Sequence, residues 1–249
     1  MRGRGHAEDG TVCQDRTQYV SRGGVQAICL SDGAGTAPRS EYGAQAITDA
    51  GTRFLVDNFE ELLANDDGRA VKEAVCQHLL GVLARTADRL GCQVADLAAT
   101  FLAVAVSGDR FIAVHTGDGV IGYVKDGALR LMSSPDNSEF ANQTTFVTTR
   151  GAVTSTRLFR GETDGISGFI VMSDGTGASL YDSRSATLAR ACSTLISVVG
   201  RAPTAQVRNP TFKKQLRRVV DTTIRNRTKD DCSLAILARA SNAGHLDTP

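Results

Sequence analysis

Short apolar runs and a few longer stretches with helical periodicity alternate along this chain. Residues 24–31 (GVQAICLS) predict a short buried strand that ends at Asp32. Residues 41–51 predict the start of a helix. Residues 69–90 predict the clearest helix, because apolar side chains recur there at close to 3.6-residue spacing. Gly91 follows, and glycine is the usual residue after a helix end.

From residue 99 onward the apolar segments are short and are separated by turn-forming residues. Four such segments predict strands, over residues 99–106, 110–116, 119–124 and 128–132. Their close spacing indicates a meander of antiparallel hairpins, with Asp118 in a turn between two of the strands. Later segments predict strands near 156–161 and 168–173, helices over 178–199 and 211–225, and a last strand from Cys232 to Ala238.

Helices grouped between blocks of strands favour an α+β sandwich, with antiparallel sheets inside and helices outside. The chain shows no internal repeat and no linker long enough to mark a second domain. We therefore expect a single domain over residues 1–240, followed by a frayed tail over residues 241–249.

Composition excludes several classes of protein. The 249 residues are 41% hydrophobic and 22% charged, which is ordinary for a globular chain. With 28 basic and 27 acidic residues, 5% aromatic residues and no Trp, nothing indicates a surface for nucleic acid. No run of about eighteen apolar residues predicts a membrane span, and the first residues lack the apolar core of a signal peptide. We expect a cytoplasmic monomer.

Six cysteines lie in different parts of the chain, and none forms a Cys-x-x-Cys pair. Their spacing argues against a zinc site, and a disulfide framework is not expected in a chain of this length. Four of them fall within apolar segments, where reduced cysteine behaves as a small core residue: Cys29, Cys76, Cys192 and Cys232.

Several aspartates lie at the ends of predicted strands or in the adjoining turns. Asp32 and Asp174 each follow an apolar strand through a serine and precede a glycine. Each aspartate alone has an ordinary explanation as a turn residue. If the strands are neighbours, however, the carboxylates converge and repel one another, and Mg²⁺ or Mn²⁺ would relieve that repulsion. The glycine lets the backbone approach, so the Gly33 carbonyl is a further candidate ligand.

Five segments resemble, in chain order, the signature of the protein phosphatase 2C family, and most closely its compact bacterial branch. A sixth segment, Ser138-Glu139-Phe140-Ala141-Asn142 followed by Thr144, resembles the family's GEYAN-type segment. The resemblance covers about residues 6–238. The five segments are Cys13-Gln14-Asp15, Asp32-Gly33-Ala34-Gly35, Gly117-Asp118-Gly119, Ser173-Asp174-Gly175 and Asp230-Asp231-Cys232-Ser233.

The resemblance implies a four-layer αββα sandwich with a centre of two Mn²⁺ or Mg²⁺ ions. Asp32 would bridge both ions with the Gly33 carbonyl on one of them, and Asp174 and Asp230 would hold the other. Asp118 matches a ligand of a third, weaker ion, and Asp15 matches an acid that orients water. The expected catalytic residues are thus Asp15, Asp32 and Asp174, and Asp231 ranks behind Asp230 as a ligand.

Two positions depart from the larger family members. Gly10 stands near the place of their phosphate-binding arginine, and Ala34 stands where they have a histidine suited to a general acid. Arg4 or Arg16 could capture phosphate instead, and water on the metal or His6 could supply a proton. Arg16, Asn142 and Thr144 are the candidate substrate-binding residues.

The implied activity is hydrolysis of phosphoserine or phosphothreonine in proteins by direct in-line attack of a metal-activated water. The substrates would be phosphorylated proteins made by an opposing Ser/Thr kinase. Two alternatives stay open: a catalytically weak binding or regulatory domain, and a small-molecule phosphoesterase with the same metal centre. His78 and His115 favour packing roles over ligand roles, on their positions in a helix and a strand.

Overall fold

The computed structural model describes residues 1–135, 144–202, 210–225 and 228–240. The expected tail, 241–249, and the segment from Ser138 to Asn142 lie outside these residues. The strands are β1 (Arg16–Arg22), β2 (Val25–Ser31), β3 (Phe101–Ser107), β4 (Arg110–Thr116), β5 (Val120–Lys125), β6 (Ala128–Ser133), β7 (Arg157–Glu162), β8 (Ile166–Met172), β9 (Tyr181–Asp182), β10 (Thr187–Leu188) and β11 (Leu234–Ala238).

The helices are α1 (Arg4–Asp9), α2 (Ser40–Asp57), α3 (Phe59–Ala64), α4 (Gly68–Leu90), α5 (Ala152–Ser155), α6 (Asp174–Leu180), α7 (Ala191–Arg201) and α8 (Pro210–Val219). A 3₁₀-helix covers Val94–Leu97, and a π-helix, Val220–Ile224, continues from α8. Helix α4 begins after Asp67, whose side chain accepts hydrogen bonds from two backbone N–H groups, and it ends at the left-handed Gly91 as the sequence predicts. None of the helices in the described ranges is long and apolar enough to cross a membrane.

Two antiparallel sheets form the centre of the fold. The first has the strand order β1-β2-β3-β4-β7, and the second has the order β11-β8-β5-β6. Leu30 and Leu102 from the first sheet pack against Ile121 and Val171 from the second, so the two sheets lie face to face. This arrangement explains why β2 is apolar at nearly every position, since both of its faces are covered.

Helices cover the outer face of each sheet. Ile47 of α2 and Leu79 of α4 pack against Phe101 on the first sheet. Ile196 of α7 and Ile224 of the π-helix pack with Ile170 on the second sheet. The layers therefore run helix, sheet, sheet, helix, which confirms the α+β αββα sandwich.

Some predicted elements were wrong. The strands over 101–133 are not one meander, because β3 and β4 pair in the first sheet while β5 and β6 pair in the second. Asp118 thus lies where the chain crosses between the sheets, rather than in a hairpin turn. The predicted helix over 178–199 is broken by the small β9–β10 hairpin, and strand β1 was missed because its residues are mostly polar.

Gly117 makes the crossing between the sheets possible. Its φ is 131°, a region that favours glycine, and a Cβ there would lie 2.6 Å from the Thr100 side chain. The Arg157 guanidinium donates to the Gly117 carbonyl at 3.3 Å and also to the Ser134 carbonyl. The crossing, with Asp118 at its centre, is therefore held on both sides.

Candidate functional site

A cavity of about 190 Å³ lies at one edge of the sandwich, and four aspartates line it. They are Asp32, Asp118, Asp174 and Asp230, and each comes from a different segment of the chain. The other described residues of the lining are His6, Gln14, Gly33, Ala34, Gly35, Thr100, Thr144 and Phe146. The structure thus brings all five predicted metal ligands to one place.

Asp32 is positioned by the end of β2 and the start of β3. Its backbone N–H donates to the Thr100 hydroxyl at 2.9 Å, and its carbonyl accepts from the Thr100 N–H at 2.8 Å. Gly33 follows in close contact with α2, where a Cβ would lie 2.8 Å from the Ser40 side chain. A larger residue at position 33 would therefore displace the segment that carries Asp32.

Asp174 and Asp230 are brought together by the pairing of β8 with β11. Asp174 is the first residue of α6, directly after β8. Ser173 joins this point to the other chain segment, since its N–H donates to the Ser233 carbonyl at 3.0 Å and its hydroxyl accepts from the Ser233 N–H at 3.1 Å. Asp230 precedes β11, the partner strand of β8, and so lines the same cavity as Asp174.

Asp118 contacts the residue that follows the undescribed segment. The Thr144 hydroxyl donates a hydrogen bond to Oδ2 of Asp118. Thr144 and Phe146 both line the cavity, so this part of the chain forms one of its walls. Asn142, the other candidate substrate-binding residue in this segment, lies outside the described residues.

Asp15 lies behind Asp32, with only 4% of its surface exposed. Neither of its carboxylate oxygens has a well-aligned hydrogen-bond donor. Burial raises the pKa of Asp15 to about 7, and the nearby Asp231 charge adds to the rise, while contacts with Asp32 and with the hydroxyls of Ser173 and Ser233 lower it. Without a cation beside it, this acid therefore keeps its proton to a higher pH than an ordinary aspartate does.

The neighbouring carboxyl groups show the same effect. Burial raises the pKa of Asp32 well above its usual value, and the charges of Asp15 and Asp174 raise it further. Burial likewise raises the pKa of Asp174 to about 6, with Asp230 and Asp118 contributing. Burial is the main cause of these shifts, and the neighbouring acids add to them, so the metal-free site disfavours full ionisation of its carboxyl groups.

The donor set fits hard divalent cations, which prefer oxygen ligands. As the side chains stand, no three described His, Cys, Asp or Glu residues form a ready-made metal site. Instead, Asp32 shares hydrogen-bonding contacts with Asp15 and Asp174, an arrangement that needs a proton between the carboxyl groups. A cation would replace that proton, and the carboxylates would then turn toward it.

Asp231 faces away from the other acids and toward the N-terminal segment. Its Oδ1 accepts from the Gly3 N–H and its Oδ2 from the Gln14 N–H, both at 2.6 Å. Nδ1 of His6 lies 3.0 Å from Oδ1. These donors outweigh burial and lower the pKa of Asp231. Of the two adjacent aspartates, it is Asp230 that lines the cavity.

The structure does not bring Arg16 into the cavity lining. Its guanidinium donates to the carbonyls of Cys13 and Asp15, at 2.6 and 2.8 Å. Arg4 is exposed and donates to the Thr228 carbonyl at 3.4 Å. His115 is buried, with Nδ1 2.7 Å from the Ser133 hydroxyl, and His78 stacks on Phe54, so both have packing roles as expected.

Two further residues shape the site and were not predicted from the sequence. Thr100 holds the backbone of Asp32, and the Gln14 side chain donates to the Ser40 hydroxyl at 2.8 Å beside the cavity. The signal for Thr100 was its position at the start of β3, although its partner could be identified only once the pairing of β2 and β3 was known.

Comparisons with known proteins bear on the family and the fold of this chain. The family model for protein phosphatase 2C matches residues 2–221. Among solved structures, a bacterial serine phosphatase has a TM-score of 0.61 at 15% identity, with 92% of each chain covered. Stp1, a serine/threonine phosphatase from Staphylococcus aureus, has a TM-score of 0.58 at 14% identity, covering 92% of this chain and 89% of that one.

A third structure is the catalytic domain of the serine threonine protein phosphatase PstP, in complex with two manganese ions. Its TM-score is 0.56 at 16% identity, with 92% of this chain and 91% of that chain covered. The sequence matched no curated protein. The family match extends over most of the chain, and the fold agrees with it. The chain therefore belongs to the protein phosphatase 2C family of phosphoprotein phosphatases.

Proposed function

We propose that this protein is a metal-dependent phosphatase that hydrolyses phosphoserine and phosphothreonine in proteins. The observation that carries the proposal is the convergence of Asp32, Asp118, Asp174 and Asp230 on one small cavity, with pKa values raised at its centre. Gathering such acids destabilises a fold unless cations compensate. A structure that keeps them together is suited to binding Mn²⁺ or Mg²⁺.

Asp32 and the Gly33 carbonyl, together with Asp174 and Asp230, would hold two ions, and Asp118 would help to hold a third. When bound, such ions neutralise phosphate charge and make water a stronger nucleophile near neutral pH. Asp15 lies next to Asp32, and neither of its carboxylate oxygens has a well-aligned donor among the described residues, which suits it to orient the attacking water. Thr144 and Phe146 would contact the substrate at the cavity wall.

Cysteine chemistry is not needed. Burial raises the pKa of the Cys13 thiol and raises that of Cys232 to about 11, so neither of these neighbours of the acid cluster is a thiolate at neutral pH. This supports direct attack of water on phosphorus, in line with the departing serine or threonine oxygen, with no covalent enzyme intermediate.

One observation favours a second candidate, a phosphatase-like domain with weak turnover. No Lys or Arg belongs to the cavity lining among the described residues. Phosphate capture would then depend on the metal ions and on backbone groups. A small-molecule phosphoesterase would use the same acids and differ in its preference for substrate.

We propose one catalytic domain over residues 1–240, acting as a monomer in the cytoplasm on proteins phosphorylated by a Ser/Thr kinase. Apolar residues pack the first helical layer on the first sheet, the first sheet on the second, and the second sheet on the last helical layer. This unbroken packing supports a single domain. Size-exclusion chromatography with light scattering would test the monomer.

The decisive test is hydrolysis of a phosphothreonine peptide by the purified protein, first with Mn²⁺ and then with excess EDTA. We expect turnover with Mn²⁺ and none with EDTA. Asp174→Asn should lower turnover at least 10³-fold, since a ligand of the reacting centre is lost. Asp88→Asn, an exposed change on α4, is the matched control and should leave the rate unchanged. Wild-type turnover in Asp174→Asn would contradict the site.

A further inference from the structure

His6 is held at the cavity by a buried acid. It belongs to the short helix α1, and its side chain is 22% exposed, with Nδ1 3.0 Å from Oδ1 of Asp231. Asp231 is only 1% exposed. The Gly3 and Gln14 backbone N–H groups fix its carboxylate, each at 2.6 Å. Nδ1 of His6 therefore faces a fixed carboxylate at contact distance, although the two atoms are not aligned as a hydrogen bond.

This pairing determines which ring nitrogen can act. Because Nδ1 faces the carboxylate, Nε2 is the nitrogen left for the cavity that His6 helps to line. While Nδ1 keeps a proton toward Asp231, Nε2 carries a proton only in the imidazolium form of the ring. Asp231 therefore orients the ring so that Nε2 is the nitrogen that can give a proton to a group in the cavity.

Phosphate ester hydrolysis at this site needs such a donor. The departing serine or threonine oxygen is a strong base, and its loss is slow unless it gains a proton as the bond to phosphorus breaks. Among the described residues of the lining, His6 is the only one with a cationic form.

We propose that His6 is the general acid of the reaction and that Asp231 is its positioning residue. This inference rests on the proposed phosphatase function. Water oxygen forms the new bond to phosphorus and the bond from phosphorus to the threonine oxygen breaks, its electron pair staying on that oxygen. Nε2 of His6 gives its proton to the oxygen. The proton released by the attacking water passes to solvent, and the neutral imidazole takes one back, leaving threonine and inorganic phosphate.

Leaving groups of different basicity separate this role from others. The test compares His6→Gln with the wild type in Mn²⁺, on a phosphothreonine peptide and on p-nitrophenyl phosphate, whose phenolate departs without protonation. We expect kcat on the peptide to fall by about 10²-fold, and kcat on the aryl ester to change less than threefold. Equal losses on both substrates, or no loss on either, would overturn the proposal.

Two further readouts exclude a metal-ligand or merely structural role. Mn²⁺ binding to His6→Gln, followed by calorimetry, should match that of the wild type, whereas a tenfold weaker affinity would identify His6 as a ligand instead. The pH profile of kcat on the peptide should differ between the wild type and His6→Gln, because the variant lacks the imidazole. Identical profiles would assign the proton to another group.

Failure of the general-acid proposal can be distinguished by experiment from failure of the proposed phosphatase function. If the wild type hydrolyses the aryl ester with Mn²⁺ and loses this activity in EDTA, the metal site stands whatever His6 does. The thermal unfolding midpoint of His6→Gln should lie within a few degrees of the wild type, and Gln retains a hydrogen-bond donor toward Asp231. A variant that is folded, binds Mn²⁺ and shows no selective loss on the peptide would refute the general-acid role.

Discussion

Asp15 is one of three largely buried acids whose raised pKa values lower the stability of the metal-free protein as the pH rises. An ordinary aspartate has a pKa near 3.8, and burial raises that of Asp15 to about 7. Between about pH 4 and pH 7 the folded protein therefore keeps a proton on Asp15 that the unfolded chain has already released. Over that interval the free energy of unfolding of the metal-free protein falls as the pH rises, and above it the loss is complete.

Asp15→Asn tests this directly. In EDTA at pH 8 the variant should be more stable than the wild type by about 2–4 kcal/mol, and the advantage should shrink toward pH 4. Burial and Arg157 lower the pKa of His115, so its contribution has the opposite sign, but it is the same in both proteins. Urea unfolding at several pH values gives the measurement. A constant difference across the pH range would show that Asp15 keeps its ordinary pKa.

At the scale of elements, the crossing between β4 and β5 places Asp118. Gly117 there combines a φ of 131° with a Cβ position 2.6 Å from the Thr100 side chain, whose hydroxyl holds the Asp32 backbone. Gly117→Ala should therefore destabilise the fold by about 3–5 kcal/mol, from backbone strain and overpacking together. It should also lower turnover, because the added methyl group would displace both the Thr100 side chain and the neighbouring Asp118 from their places at the cavity.

Gly127→Ala is the matched control for that change. Gly127 has a φ of 74°, in the β5–β6 turn, but nothing lies within 4 Å of its Cβ position. Only backbone strain applies there, so we expect a loss of about 1–2 kcal/mol and unchanged turnover. Urea unfolding curves of the two variants compare them. Equal losses of unfolding free energy in the two variants would mean that the close approach of Gly117 to Thr100 does not contribute to stability.

The elements that were predictable from the sequence are those whose own pattern determines them. Helix α4 has helical periodicity, an N-cap at Asp67 and a terminal glycine, and β2 is a continuous apolar run between turns. Strand β1 was not predictable, because it is mostly polar and exists through its pairing with β2. The exchange of sheets at Gly117 likewise depends on which distant strands pair, and no local pattern encodes that.

The candidate site likewise contains residues that could be predicted from the sequence and residues that could not. The aspartates could be proposed from their positions after apolar strands and from motif order, and the cavity contains them. The roles of Arg16 and Asp231 could not be predicted, because they depend on hydrogen bonds between segments far apart in the chain. Arg16 donates to nearby carbonyls, while Asp231 accepts from Gly3, 228 residues away.

At the scale of the whole molecule, the positions of the acids couple metal binding to the free energy of unfolding of the entire fold. Asp32 follows a strand of the first sheet, whereas Asp174 follows a strand of the second and Asp230 precedes its partner. Ions held by all three would join the two sheets at one edge. Unfolding separates the sheets, so it must release the ions, and binding should stabilise the entire sandwich.

The expected size follows from mass action. At a Mn²⁺ concentration 100 times the dissociation constant, binding adds about 2.7 kcal/mol, which for a protein of this length raises Tm by about 5–10 °C. Differential scanning calorimetry in EDTA and in Mn²⁺ measures the shift. Asp88→Asn should keep it, while Asp174→Asn should lose most of it and should melt above the wild type in EDTA, since one repelling charge is gone. A full Mn²⁺ shift in Asp174→Asn would mean that the ions do not link the two sheets.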